Sequence, residues 1–255
     1  MAPLRIYLTG RISIEHGSTL VEERDLAGRQ GRLAFVFLAV ERHRPVSREQ
    51  LTRVLWPDTP PPELEAALSA ILSKLRAALK KAGVSSAGSV EMRNGAIQMR
   101  LPSDTWLDLE HAINSIDEAE GALRAGDAAR AWSHANVVVI IARRPFLAGD
   151  EAPWIEARRA RLRALLVRGL QCLSQASAIH GEPVLAVQYA AEAIEIEPFG
   201  ESGYRHLMRL HADLGNRAEA LRVFGRCRDF LRDELGADPS KETEAAFLEI
   251  LRAGQ

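Results

Sequence analysis

A glycine followed five residues later by alanine, and four further on by a small or apolar residue, occurs three times: Gly126/Ala131/Ala135, Gly181/Ala186/Ala190 and Gly215/Ala220/Phe224. The last two lie 34 residues apart, a period typical of stacked helix pairs. Glycine makes the tight turn and alanine lets two helices approach closely. Ala186, Ala190, Ala193 and Pro198 stand at the spacing of a second helix and its stop. The region beyond Asp104 is therefore expected to fold as helical pairs that bury a core by stacking, with an alanine-rich bundle lacking true repeats as the competing reading. Val137–Ala142 reads as the fully buried helix of the first pair. The basic run Arg158–Arg163 lies beside Glu151 and Glu156, which favours a solvated face or a row of internal ion pairs over a nucleic-acid surface.

Before Asp104 the pattern differs. Short alternating segments, Arg5–Leu8, Arg11–Glu15 and Thr19–Val21, read as strands punctuated by Gly10 and Gly17. The apolar run Leu33–Val40 is too long for a typical buried strand and predicts a buried helix from Arg29 to Arg42. Ser47-Arg48-Glu49-Gln50 has the form of a capping box, in which the serine hydroxyl accepts an end amide and the glutamine side chain returns to the serine amide. Val46 and Leu51 flank it as a hydrophobic staple, so a helix is expected from Arg48 to about Trp56. After Pro60-Pro61-Pro62, whose last proline suits a first helical turn, a third helix runs to about Lys81 and is stopped by Gly83. Its Leu64, Leu68, Ile71, Leu72, Leu75 and Leu79 form one stripe. Ala66, Ser69, Ala70, Ser73, Lys74, Ala77, Lys80 and Lys81 lie on the other side. Arg93-Asn94-Gly95-Ala96 is a hairpin signal between Val90–Met92 and Ala96–Leu101.

With 255 residues, 47% hydrophobic and 26% charged, the chain fits two folded domains and not a disordered or disulfide-scaffold class. No apolar run approaches the roughly 20 residues of a bilayer span, and Met1–Arg5 does not open a secretory leader, so no membrane helix and a cytoplasmic location are expected. Cys172 and Cys227 are expected core fillers. The seven histidines are scattered, and phosphate-cradling glycine loops and nucleophile elbows are lacking. No metal, no cofactor and no enzyme activity are therefore expected. Net charge, −1 overall, hides an asymmetry: 15 Lys and Arg against 11 Asp and Glu up to Asp104, then 18 against 23. A mildly basic first part permits phosphate contact without requiring it.

Strands, three helices whose last has a non-bulky outer face, and a hairpin describe a winged helix-turn-helix. One stripe of the third helix is buried, the other meets base edges, and the hairpin reaches the neighbouring backbone. A solvated surface helix is the competing reading. The expected fold is mostly α with a small β component: a winged helix-turn-helix over 1–103, then an all-α tetratricopeptide-like domain over 104–255.

Several segments in this order resemble the SARP-like bacterial transcriptional activators. They are Arg44–Leu51 with Leu55-Trp56 and Pro60-Pro61, Ser73-Lys74-Leu75-Arg76, Pro145-Phe146-Leu147 with Trp154–Arg161, Asn216–Leu221, and Glu234–Pro239. That family joins an OmpR-type winged helix to a helical bacterial transcriptional activator domain, and the resemblance covers nearly the whole chain. It implies promoter binding by the first domain, activation through RNA polymerase, and dimer or partner contacts by the second. No ATPase module or forkhead-associated domain, as in larger relatives, is expected after Gln255. Two departures stand out. The hairpin shows Asn94-Gly95-Ala96-Ile97 where a Gly-Tyr pair is usual. The third helix begins with Glu63 and Glu65, which suit the helix dipole but would repel phosphate if they faced it.

With double-stranded DNA as partner, Ser69, Ser73, Lys74 and Lys81 are expected at the groove or its edge. Arg44, Ser47 and Arg48 are expected at the amino end of the second helix, where amides and positive charge receive a phosphate, and Arg93 is expected to reach backbone from the hairpin. The alternative function is an adaptor whose helical domain binds a peptide or small ligand and whose winged helix docks protein. No residue set names an effector.

Overall fold

The computed structural model describes residues 3–84 and 89–253 and is mostly helical with a small sheet component. It divides into two compact units, Met1–His111 with Arg144–Arg159, and Ala112–Arg143 with Ala160–Gln255.

In the first unit, β1 (Arg5–Tyr7) pairs antiparallel with β2 (Ser13–His16), and β2 with β3 (Thr19–Glu22). Ile6, Ile14 and Val21 stand opposite one another and are buried, as strand alternation requires of one core face. The expected strand start at Arg11 moves to Ser13 because Gly10 turns the chain at φ +71° and donates its N–H to Pro145 O at 2.8 Å. After the chain has formed three helices and a hairpin, β7 (Trp106–Leu107) returns to pair parallel with β1. Asp108, fully buried, then accepts Leu8 N, Thr9 N and Thr9 Oγ1 on one oxygen, at 2.8–2.9 Å.

The apolar run lies in α1 (Gly28–Val40), buried from Leu33 to Ala39 as expected for a helix apolar on all sides. Against it pack α2 (Arg48–Leu55) and α3 (Leu64–Lys81). Ser47 Oγ accepts Gln50 N at 3.0 Å, but the second half of the capping box is not made. Gln50 Oε1 instead accepts Arg44 Nη1 at 3.3 Å. Helix α3 begins after Glu63, so Pro62 precedes the helix and its first turn. A strand too short to read in the sequence, β4 (Val46–Ser47), pairs with β6 (Ala96–Met99), which pairs with β5 (Val90–Arg93). Asn94 and Gly95, at φ +52° and +76°, make the expected two-residue turn.

The segment Arg144–Arg159 completes this unit. Trp154 stacks edge-on against Phe37 and Phe146. Arg158 pairs with Glu41 at 2.9 Å, and Arg159 donates to the carbonyls of Phe146, Leu147 and Asp150. The first two residues of the basic run are thus tied up internally.

The second unit contains α4 (Asp108–Arg124) and α6 (Pro153–Ile179) from Ala112 and Ala160 onward, with α5 (Ala128–Ala142), α7 (Pro183–Ile196), α8 (Glu201–Asp213), α9 (Arg217–Leu235) and α10 (Lys241–Arg252). Gly126, Gly181 and Gly215 have φ of +77°, +75° and +73°, and each ends a helix with the same pair of bonds. The glycine N–H reaches the carbonyl three residues back, and the next N–H the carbonyl five back. The paired alanines 131 and 135, 186 and 190, and Ala220 are buried in the cores that follow. Ile140 corrects the expectation for Val137–Ala142: it is 55% exposed, so α5 keeps an outer face. Cys172 and Cys227 are buried free thiols whose pKa values burial pushes up to about 11, as expected of core fillers. No helix among the described residues is long and apolar enough to cross a membrane.

Candidate nucleic-acid interface

Helix α3 divides its surface sharply. Leu68, Leu72, Leu75, Ala78 and Leu79 are buried, whereas Ala66, Ser69, Ala70, Ser73, Lys74, Ala77 and Lys80 are exposed. Apart from Lys74, the side chains along the middle of the outward face are small. Gly83, at φ +80°, closes the helix, and its N–H bonds Lys80 O. His16 Nδ1 lies 2.9 Å from Ala82 O, so that nitrogen carries the proton it donates.

The hairpin is tied to α3 at its first strand and to the start of α2 at its turn. Arg76 Nε donates to Val90 O at 2.9 Å, and Arg48 N donates to Gly95 O at 3.2 Å. The Arg48 guanidinium bridges all three elements: Nη1 to Glu65 Oε2 at 2.5 Å, and Nη2 to Met92 Sδ at 3.1 Å.

The expected contact residues fall into two groups. Ser69, Ser73 and Lys74 come together on the open face of α3, and Lys74 has no acidic partner among the described residues. The other expected cations are partly neutralised. Arg44 pairs with Glu41 at 2.6 Å, Arg48 with Glu65, Lys81 with Asp25 at 3.1 Å, and Arg93 with Glu91 at 3.5 Å. A hydrogen bond from the Glu22 amide, together with Lys81, holds the Asp25 carboxyl below its ordinary pKa, which keeps this pair charged. Ser47 spends its hydroxyl as a cap. On α2 and α3, two exposed cations with no acidic partner among the described residues were missing from the expected set: Lys80, seven residues beyond Ser73 on the same face, and Arg53 on α2. Helical spacing from Ser73 was the signal for Lys80; nothing in the local pattern singled out Arg53. Among the described residues no group of three or more His, Cys, Asp or Glu is placed to hold a metal.

The family model of the bacterial transcriptional activator domain matches residues 107–251, more than half of the sequence. The chain belongs to that family. Its relatives in this SARP-type group are transcriptional regulators. The activator-domain chain is 27% identical to the regulatory protein AfsR of Streptomyces coelicolor over 88% of its own length, and 25% identical to the transcriptional regulatory protein EmbR of Mycobacterium tuberculosis over 87%. It spans only 22% of AfsR and 57% of EmbR. A solved structure of Mycobacterium tuberculosis EmbR in complex with a low-affinity phosphopeptide shares the fold of this activator-domain chain. The TM-score is 0.88 at 22% identity, covering 99% of this chain and 66% of that one.

Proposed function

We propose that this protein is a DNA-binding transcriptional regulator, an activator that binds promoter repeats through an OmpR-type winged helix over 1–103. In this reading α3 enters the major groove, the β5–β6 hairpin is the wing, and the tetratricopeptide-like helical region over 104–255 carries dimer or partner contacts, RNA polymerase among them. The supporting observation is the outward row of α3: open to solvent, flanked by a clipped hairpin, and bearing Lys74 and Lys80 without acidic partners among the described residues. A groove-entering helix must have such a face, and two uncompensated lysines beside small side chains let it approach phosphate. The family supports the same reading, because its named members are regulators.

Selection of bound fragments from a genomic library tests this directly. Recovery of a direct repeat, with retention falling steeply as salt rises, is the expected result. Fragments retained no better than random DNA, together with salt-insensitive capture of a protein, would overturn it.

A further inference from the structure

We infer that Glu65 reads a cytosine in the major groove and that Arg48 is the positioning residue that holds it there; this rests on the DNA-binding reading above. Glu65 lies in the first turn of α3, where a groove-entering helix presents side chains to base edges, and its side chain is 68% exposed. It begins a row continued at four-residue intervals by Ser69 and Ser73, both exposed. A helix that offers the two serines to the groove offers Glu65 at the groove-proximal end of the same row.

The carboxylate is half committed. Oε2 is held by Arg48 Nη1 at 2.5 Å, and Oε1 has no hydrogen-bond partner among the described residues. The guanidinium is itself fixed, by Met92 Sδ and by the Arg48 backbone N–H bonded to Gly95 O. The free oxygen is therefore aimed by three elements at once: the start of α2, the start of α3 and the hairpin. Its charge is compensated by Arg48, which removes the repulsion an isolated glutamate would meet between phosphates.

The chemistry then selects the base. An ionised carboxylate only accepts hydrogen bonds. In the major groove guanine presents two acceptors, thymine one acceptor and a methyl group, and adenine a donor next to an acceptor that would face the second carboxylate oxygen. Cytosine N4 alone presents a donor without an adjacent acceptor on the same base.

Selection from a randomised duplex library by the full chain, and by Glu65→Gln, Glu65→Ala and Arg48→Met, tests this. The unsubstituted protein should require cytosine at one position of its preferred site. Glu65→Gln should change that position to adenine, since a carboxamide matches adenine N6 and N7. Glu65→Ala should lose the preference there alone, at a cost of about tenfold for the cytosine-containing site. Arg48→Met should flatten the same position, whereas a merely structural role would weaken all sequences alike. Should that variant fail to fold, Arg48→Lys, which keeps the charge without the planar fork, reads the same position. Unaltered preferences in both Glu65 variants overturn the base contact while DNA binding stands. An unaltered preference in the Arg48 variant overturns the positioning role. A parent protein that enriches no sequence overturns the DNA-binding reading and this inference with it.

Discussion

Arg29 Nε lies 2.6 Å from Asp150 Oδ1, an ion pair closed across 121 positions of sequence onto a carboxylate that is 1% exposed. Arg32 takes the second oxygen of Asp150, so one buried acid latches Arg144–Arg159 to the first turns of α1. Asp150→Ala leaves two cations facing an empty acceptor site. The expected loss is about 2 kcal/mol, less than for a fully buried pair because Arg29 is half exposed. A lower urea midpoint at unchanged denaturant slope is the readout.

Gly31 sits in the first turn of α1 with the Leu26 carbonyl where a side chain would be: an ideal Cβ there would stand 1.6 Å from that oxygen. No rotamer change relieves a clash with backbone. Gly31→Ala should therefore destabilise the first unit by more than about 3 kcal/mol, at the severe end for a single substitution. A thermal midpoint within a degree or two of the parent, at equal yield, would show that the turn before α1 yields freely.

Among the described residues Lys74 and Lys80 have no acidic partner on the outward face of α3, whereas Arg44 spends its charge on Glu41. Lys74→Ala and Lys80→Ala should each weaken DNA binding and flatten the dependence of log affinity on log salt by about one unit. Arg44→Ala should change the slope less. Anisotropy titrations over a salt series distinguish the three, and an unchanged slope removes the lysine concerned from the interface.

Ser174 Oγ donates to Ala186 O at 2.7 Å, so His206 Nε2, 2.8 Å away, must donate to Ser174. Burial, with a smaller push from Arg209, lowers the His206 pKa below its ordinary 6.5. The unfolded chain then binds the proton more readily than the folded one. Stability should fall as pH drops through the ordinary histidine value toward the lowered one, and be regained above it. Urea midpoints measured between about pH 7.5 and pH 5.5 should show this decline, and His206→Gln should make it shallower. Equal slopes for parent and variant would assign the decline to other groups.

Much of the fold was legible because its signals are local. The Asn94-Gly95 turn, the buried α1 and the three glycine-ended helices each follow from a few neighbouring residues. Less visible were the parts decided at a distance. β4 and β7 are two residues each, too short for any alternation, and exist because β6 and β1 offer them a partner. The capping box lost its second bond because Arg44 competes for Gln50. For the candidate site, the spacing of Ser69, Ser73 and Lys74 was readable, but not the acids that occupy Arg44, Arg48, Lys81 and Arg93, since every one except the Arg93 and Arg44 partners comes from another element.

By itself the sequence determined which segments become helices and turns, and which side of α3 is greasy, because hydrophobic period and glycine placement act within one or two turns of chain. Only the tertiary structure decided which cations stay unpaired and which residues finish each core. Ion pairing and burial depend on groups brought together from positions such as 29 and 150, or 48 and 65, and nothing in either neighbourhood alone announces the other.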